Sequence, residues 1–341
     1  MTLDRRKTMI WGAVAGAALF ATGMARADML ADLAAEAAKS GPVVWYESSP
    51  DDQADKIVDA FNAVYPDIEV QHVRITGGNQ LAARAVQEEQ AQGHTADLLT
   101  GGSDHIWQLN GRDILMHLDF TELGIDAKLA PNDFTVGTAA SVYALLYNTD
   151  LVAEAEVPQS WDDLLDPKWE GKSGSWVRAA FWAQLADAWG VERAQKHLES
   201  YVKLKPFLFK STFPMAQQVG ADEVAIAVGF FHTAMPPIKA GSPLKAVALD
   251  PTPMHTIYTS IGKNAKNPAG AKVLLAWLAS PEGNKAYEEA TDRGSHLIEG
   301  TNTYQLVQGK NISEWPPEKT DEYSAVSEAF NGILAAAGEA R

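Results

Sequence analysis

Arg178 lies in SGSWVRAAFW (173–182), where a loop runs into a helix, with Trp176 and Phe181 on either side. A guanidinium grips a carboxylate or phosphate through two hydrogen bonds. Aromatic neighbours suit a ligand with a planar or apolar part. The same residues have a plainer reading: an arginine paired with a surface carboxylate, and a tryptophan that belongs to the core. Further along stand Phe230, Phe231, His232 and Thr233. His232 can donate to an anion or accept from a hydroxyl, or serve as a structural histidine. Asp104, His105, His232 and His255 are the residues from which a metal site could be assembled, but they lack contiguous ligand spacing. There is no cysteine, which excludes thiol nucleophiles, thiolate zinc sites and iron–sulfur clusters. No HExxH, GxSxG or Walker A run occurs, and Gly171-Lys172-Ser173 lacks the upstream glycine. A hydrolase or lyase using a carboxylate and a histidine therefore has no nominated nucleophile–base pair. No cofactor and no metal is expected.

The elements that position these residues follow from periodicity. Residues 29–39 read as a helix stopped by Gly41-Pro42, and Val43-Val44-Trp45-Tyr46 as a buried strand. Ser48, Ser49 and Pro50 then lead into an amphipathic helix over 51–65, with Ser49 suited to its cap and Pro50 to its first turn. Residues 68–73 alternate as a strand, 79–92 are helical, and 96–100 form a strand that runs into Gly101, Gly102 and Ser103 before a helix over 104–111. Strands are expected at 140–147 and 224–228, a capped helix from Pro158 to Leu165, and helices over 269–279 and 320–337. Residues 299–319 read as loop-rich. Trp182, Leu185, Ala186 and Trp189, at helical spacing, are expected to be core. Alternating strands and helices imply α/β architecture with a largely parallel sheet. In such sheets ligands bind beyond the carboxyl ends of strands. Ser48, Ser49, Gly102 and Ser103 all sit at such ends, before helix N-termini whose free N–H groups attract polar ligand atoms. Ser211 and Thr212 also precede a helix, as ligand donors or as a plain cap.

The first 27 residues have the anatomy of a secretory signal peptide: Arg5, Arg6 and Lys7, an apolar run from Met9 to Met24, and Ala25-Arg26-Ala27 as the cleavage site. The apolar run falls short of the roughly 20 residues of a spanning helix. Twin-arginine and ordinary secretion both remain open, since Thr8 sits where the twin-arginine signal usually carries a large apolar residue. Taking four basic and one acidic residue from totals of 28 and 44 leaves 24 against 43, a balance of −19. Such a chain repels nucleic acid and anionic membrane surfaces. Its remaining length suffices for two domains.

Three segments together resemble the periplasmic solute-binding proteins of ABC importers, extracellular solute-binding family 1, in the branch that includes ferric-ion binders. They are the strand at 43–46 with its Ser-Ser-Pro loop and AFNAVYPDIEV (60–70), then PQSWDDLLDPKWEGK (158–172), then NPAGAKVLLAWLASPEGNKAY (267–287). The resemblance implies a type 2 periplasmic binding fold: two α/β lobes joined by crossing strands, with the ligand in the cleft. It implies lobe 1 over 28–143 plus 256–300 and lobe 2 over 144–255 plus 301–341. It further implies a periplasmic, monomeric receptor, not an enzyme, that delivers a small solute to an inner-membrane ABC permease. Ligand contacts implied this way are Ser48, Ser49, Gly102, Ser103, Trp176, Arg178, Ser211, Thr212, Phe231, His232 and Thr233, with an anionic organic solute expected. The ferric branch holds iron with tandem tyrosines. His232-Thr233 stand at that place here, no tandem tyrosine occurs in the chain, and the Ser48-Ser49-Pro50 loop lacks a histidine. Capture of ferric ion or a metal chelate is the alternative within the same fold, and an exported hydrolase or lyase the alternative outside it.

Overall fold

The computed structural model describes residues 28–76 and 78–339. The signal segment and its cleavage site at Ala25-Arg26-Ala27 lie outside the described residues. The chain divides into two compact units. The first begins with helix α1 (28–37), strand β1 (Val43–Glu47), helix α2 (Asp51–Val64), β2 (Val70–Arg74), α3 (Gly78–Gln92) and β3 (Leu98–Gly102). β1 pairs in parallel with β2, Val43 opposite Val70, and with β3, Trp45 opposite Leu98. α2 buries Ala54, Ile57 and Phe61; of the apolar face expected from sequence (Ile57, Ala60, Phe61 and Val64), Val64 is exposed at the end of the helix. Its N-cap is Pro50, with no side-chain cap bond, so Ser49 does not cap it as expected. Ser49 N–H donates instead to the Glu47 carboxylate.

The unit boundary falls inside β3, after Thr100. α4 (Ser103–Asn110) follows, residues 109–136 return to the first unit, and β4 (Val136–Asn148) enters the second. There the chain forms β5 (Ser173–Trp176), α5 (Ala180–Trp189), α6 (Val191–Lys203), β6 (Phe207–Phe209), α7 (Thr212–Val219), β7 (Ile226–Phe230), α8 (Phe231–Lys239) and β8 (Leu244–Val247). β9 (Thr252–Ile261) crosses the boundary after Tyr258, α9 (Pro268–Leu278) belongs to the first unit, and α10 (Pro281–Thr291) crosses back. α11 (Asn302–Val307), β10 (Ile312–Ser313) and α12 (Thr320–Glu339) end the described chain in the second unit.

β5 runs parallel to β6 and β7, while β4 is antiparallel to both β7 and β8, so this sheet is mixed rather than largely parallel. All thirteen residues of β4 are buried, because helices cover both faces. Tyr143, Leu145 and Tyr147 pack with α5, α6 and α12 on one side, and Ala144 and Leu146 with α7 and α8 on the other. The period of two divides one strand between two cores. Residues 101–108, 137–143, 256–258 and 284–300 group with the second unit, whereas the sequence assigns them to lobe 1. Two hydrogen bonds within the second unit show why for part of them: Ala140 N–H donates to Gly294 O (2.8 Å), and Asn284 Nδ2 donates to Thr138 O. The expected helix at 158–165 is a 3₁₀ turn, Trp161–Leu165. The Asp163 carboxylate there accepts from the N–H groups of Gln159 and Ser160, both at 2.9 Å. β7 lies two residues beyond the expected 224–228.

Candidate functional site

β5 and β7, parallel and adjacent, end together at Trp176 and Phe230, and β4 places Tyr143 in register with Phe230. The result is a run of rings within the second unit. Trp176 meets Phe230 edge-on with centres 5.9 Å apart, Phe230 stacks on Tyr143 at 4.2 Å, and Phe230 stacks on His232 at 5.2 Å. Arg178 is exposed, and its guanidinium carbon sits 5.0 Å from the centre of the Trp176 ring. Among the described residues no carboxylate comes within 4.0 Å of it, although the chain carries a surplus of acidic groups. Ala179 N–H donates to Asn331 Oδ1 (2.7 Å), which pins the turn between β5 and α5 and so fixes where Arg178 emerges. A cation in this position has its ring contact, worth about 0.5–1 kcal/mol at exposed sites. Its donors remain available to an anion.

Beside this run lies a small cavity of about 90 Å³, lined by Gly102, Ser103, Asp104, Gln184, His255 and Tyr323 among others. Its hydrogen bonds fix one arrangement of protons. Trp315 N–H donates to Gln184 Oε1 (3.1 Å), so the amide presents Nε2 to His255 Nδ1 (2.8 Å). Nδ1 accepts, hence His255 carries its proton on Nε2 and donates to the Tyr143 hydroxyl (3.4 Å). The tyrosine O–H is left as a donor. Burial pushes His255 down to about 4, against a small opposing effect of Asp104, so the ring is neutral at pH 7.

Glu314 stands behind the cavity. Its carboxylate accepts from Thr256 N–H and from Thr256 Oγ1 (2.7 Å). Burial pushes its pKa up to about 7 despite those bonds. An acid raised on folding binds more protons folded than unfolded, so its contribution falls as pH rises from about 4.5 to about 7. His255, lowered on folding, acts with the opposite sign, but it cancels when two variants are compared. The stability of Glu314→Gln relative to the native chain should therefore rise by about 3 kcal/mol across that window. Denaturant melts at a series of pH values read this directly. A difference independent of pH would mean that Glu314 ionises normally.

Residues 56–298 match the family described as bacterial extracellular solute-binding protein. The chain belongs to this family. An uncharacterized protein of Haemophilus influenzae is 30% identical over 169 residues, 46% of this chain and 47% of that protein; the match spans about half of the relative. Iron-bound HitA from Pseudomonas aeruginosa superposes with a TM-score of 0.72 at 19% identity, covering 86% of this chain and 99% of that one. AfuA from Actinobacillus pleuropneumoniae, with fructose-6-phosphate bound, gives 0.67 at 20% identity over 86% and 99%. The spermidine/putrescine transporter protein PotD from Streptococcus pneumoniae gives 0.66 at 18% over 86% and 100%. The fold is that of the type 2 periplasmic binding proteins, as the resemblance implies.

Within this solute-binding protein the residues named from sequence fall into separate groups. Gly102 and Ser103 line the cavity, and Trp176 and Arg178 occupy the end of the ring run. His232 is buried in the first turn of α8, stacked on Phe230 and bonded to Arg293. Thr233 Oγ1 donates to Phe230 O (2.9 Å), a local bond that occupies its hydroxyl proton. Phe231 packs against two apolar clusters. Ser211 is exposed at the N-cap of α7 without a side-chain cap bond, and Thr212 is buried. Ser48 and Ser49 belong to the first unit, where the Ser49 hydroxyl is buried without a hydrogen-bond partner. Of the four residues weighed as metal ligands, Asp104 pairs with His105 and lines the cavity with His255, whose Nδ1 is taken by Gln184, while His232 is bonded to Arg293. Among the described residues no group of three or more His, Cys, Asp or Glu is placed to hold a metal ion. Sequence reasoning missed Gln184, Glu314, Tyr323 and Arg293. Gln184 alone left a trace, as one buried amide inside the apolar helix AFWAQLADAW.

Proposed function

We propose that this chain is the periplasmic receptor of an ABC importer, capturing a small organic anion and passing it to the membrane permease. The observation that carries the reading is Arg178, exposed, seated on Trp176 and, among the described residues, without a carboxylate partner, at the strand ends where this architecture binds ligands. Trp176 and Phe230 add an aromatic edge for an apolar part of the solute. The ligands of similar structures range from iron to fructose-6-phosphate, so similarity alone leaves the solute class to this chain's own residues. Mass spectrometry of the small molecule released on denaturing freshly purified protein tests the proposal. A carboxylate- or phosphate-bearing compound is expected; a neutral or cationic one would overturn it.

Iron capture through phenolates is not the chemistry these residues favour. The Tyr143 oxygen is engaged by His255, and full burial raises its pKa far above that of a free phenol. Ferric citrate added to the purified protein should give no strong visible charge-transfer band. A band that disappears in Tyr258→Phe or Tyr143→Phe would reverse this assignment.

A further inference from the structure

Arg293 lies just beyond α10, in the second unit, and its Nη2 is 3.2 Å from His232 Nε2. An arginine only donates, so Nε2 accepts and the His232 proton sits on Nδ1. That Nδ1–H is buried with no hydrogen-bond partner, in a side chain only 4% exposed. The Nε–H of Arg293 is likewise buried and unpartnered. Two adjacent side chains thus each hold an orphaned donor, one of them on a full positive charge. Burial, then the neighbouring guanidinium, keeps His232 neutral, so it serves as a donor without charge of its own. Among the described residues no carboxylate lies within 4.0 Å of Arg293, and the adjacent Asp292 is occupied by Lys239. The loop does not depend on the guanidinium for its position. Arg293 N–H donates to Thr291 Oγ1 (3.2 Å), and Gly294 N–H to Thr303 Oγ1 (2.9 Å). Buried donors without acceptors are rare in folded proteins and each calls for an explanation; for two on touching side chains, one of them charged, a single acceptor from outside the chain accounts for both.

The position of the pair relates it to Arg178. Trp176, Phe230 and His232 form one continuous run of ring contacts, with Arg178 over its first ring and Arg293 bonded to its last. We infer that Arg293 and His232 hold a second acidic group of the solute, so that the solute is a diacid: a dicarboxylate or a phosphorylated carboxylic acid. The inference rests on the anion reading above and narrows it.

Calorimetric titration of the full mature chain with glutarate and 3-phosphoglycerate, each beside the monoacid butyrate, tests it. The diacids should bind at least tenfold more tightly than butyrate. Arg293→Met should weaken diacid binding by roughly tenfold to a hundredfold, the loss of one charge-assisted contact. Butyrate affinity should fall less, because Arg178 remains for its single carboxylate. The melting temperature of the empty variant should stay within about 3 °C of the native value. Should the methionine variant fold poorly, Arg293→Lys keeps the charge without the fork and should show a smaller loss confined to the diacids. Equal affinities for diacid and monoacid, no diacid binding at millimolar concentration, or equal weakening of both classes by Arg293→Met would each overturn the inference. Unchanged diacid affinity in Arg293→Met, with Arg178→Ala still weakening butyrate, removes the second subsite and leaves the anion reading standing. If Arg178→Ala is also without effect, both fail.

Discussion

Replacing Arg178 by alanine is expected to weaken binding of the native solute by roughly tenfold to a hundredfold. A charge-assisted hydrogen bond from a guanidinium contributes about 1.5–3 kcal/mol net, and each 1.4 kcal/mol is one decade in affinity. The residue has the features of a group held ready for a ligand: an aromatic seat, a pinned turn beside it, and no carboxylate partner in a strongly acidic chain. The same features bound its role in folding. Losing the ring contact removes about 0.5–1 kcal/mol, a shift of a few degrees at most in a chain of this size. Arg178→Lys should recover only part of the affinity, because an ammonium cannot make the two-pronged contact. Titration with the identified solute, beside a melting curve of the empty protein, separates the possibilities. Unchanged affinity removes Arg178 from the site. A large fall in melting temperature assigns it to the fold and takes away the main support for an anionic solute.

Much of the architecture was legible because local pattern and tertiary role coincide. Ile57 and Phe61 of α2, the buried strand at 43–46 and the helix over 269–279 read correctly, although Val64, expected on the same face of α2, is exposed and α9 is buried nearly all round. Where long-range pairing decides, the sequence misled. β4 reads as a strand but carries no sign that it runs antiparallel to β7, since direction depends on the path of the chain through residues 109–136. Ser49, preceding Pro50, looks like a cap, yet the neighbouring Glu47 carboxylate takes its N–H.

The proposed site is legible from sequence only in its exposed half. Arg178 and Trp176 announce themselves by type and by their place at a strand end. The buried half was not, because its meaning lies in pairings between distant segments. His232 was visible as a lone histidine, but its proton position follows only from Arg293, 61 residues away. His255 is likewise fixed by Gln184, 71 residues away, whose orientation depends in turn on Trp315. No spacing rule encodes such a relay. It exists only once β9, α5 and the segment before α12 have packed.

The largest effect on folding is expected in the first unit, at Asn267. Its side chain accepts from Gly270 N–H (2.9 Å), capping α9, while its Nδ2 donates to Ala37 O (3.2 Å) and Gly41 O (2.7 Å) at the end of α1. Its own N–H donates to Asp97 Oδ1 (2.9 Å), and the other oxygen of Asp97 accepts from Val44 N–H (2.7 Å). The side-chain amide thus ties α1 to α9, the backbone N–H of the same residue holds Asp97 and through it β1, and only 1% of Asn267 is exposed. Packing around it is close: a side chain at Gly270 would meet Val43 Cγ2 at 2.5 Å. Asn267→Ala removes a cap, at about 1 kcal/mol, and strands two carbonyls away from water, where each lost partner costs about 1–3 kcal/mol. A loss of about 3–5 kcal/mol is expected, or a fall in melting temperature of roughly 10 °C. Asn267→Asp should do no better. It keeps the acceptor for Gly270 but loses both donors and sets a second carboxylate beside Asp97. Affinity per folded molecule should be unchanged in both variants, since Asn267 lies in a different unit from Arg178. A melting temperature within about 3 °C of the native value, a change below about 1 kcal/mol, would show that water replaces the side-chain amide and that α1 and α9 are held together by their apolar packing.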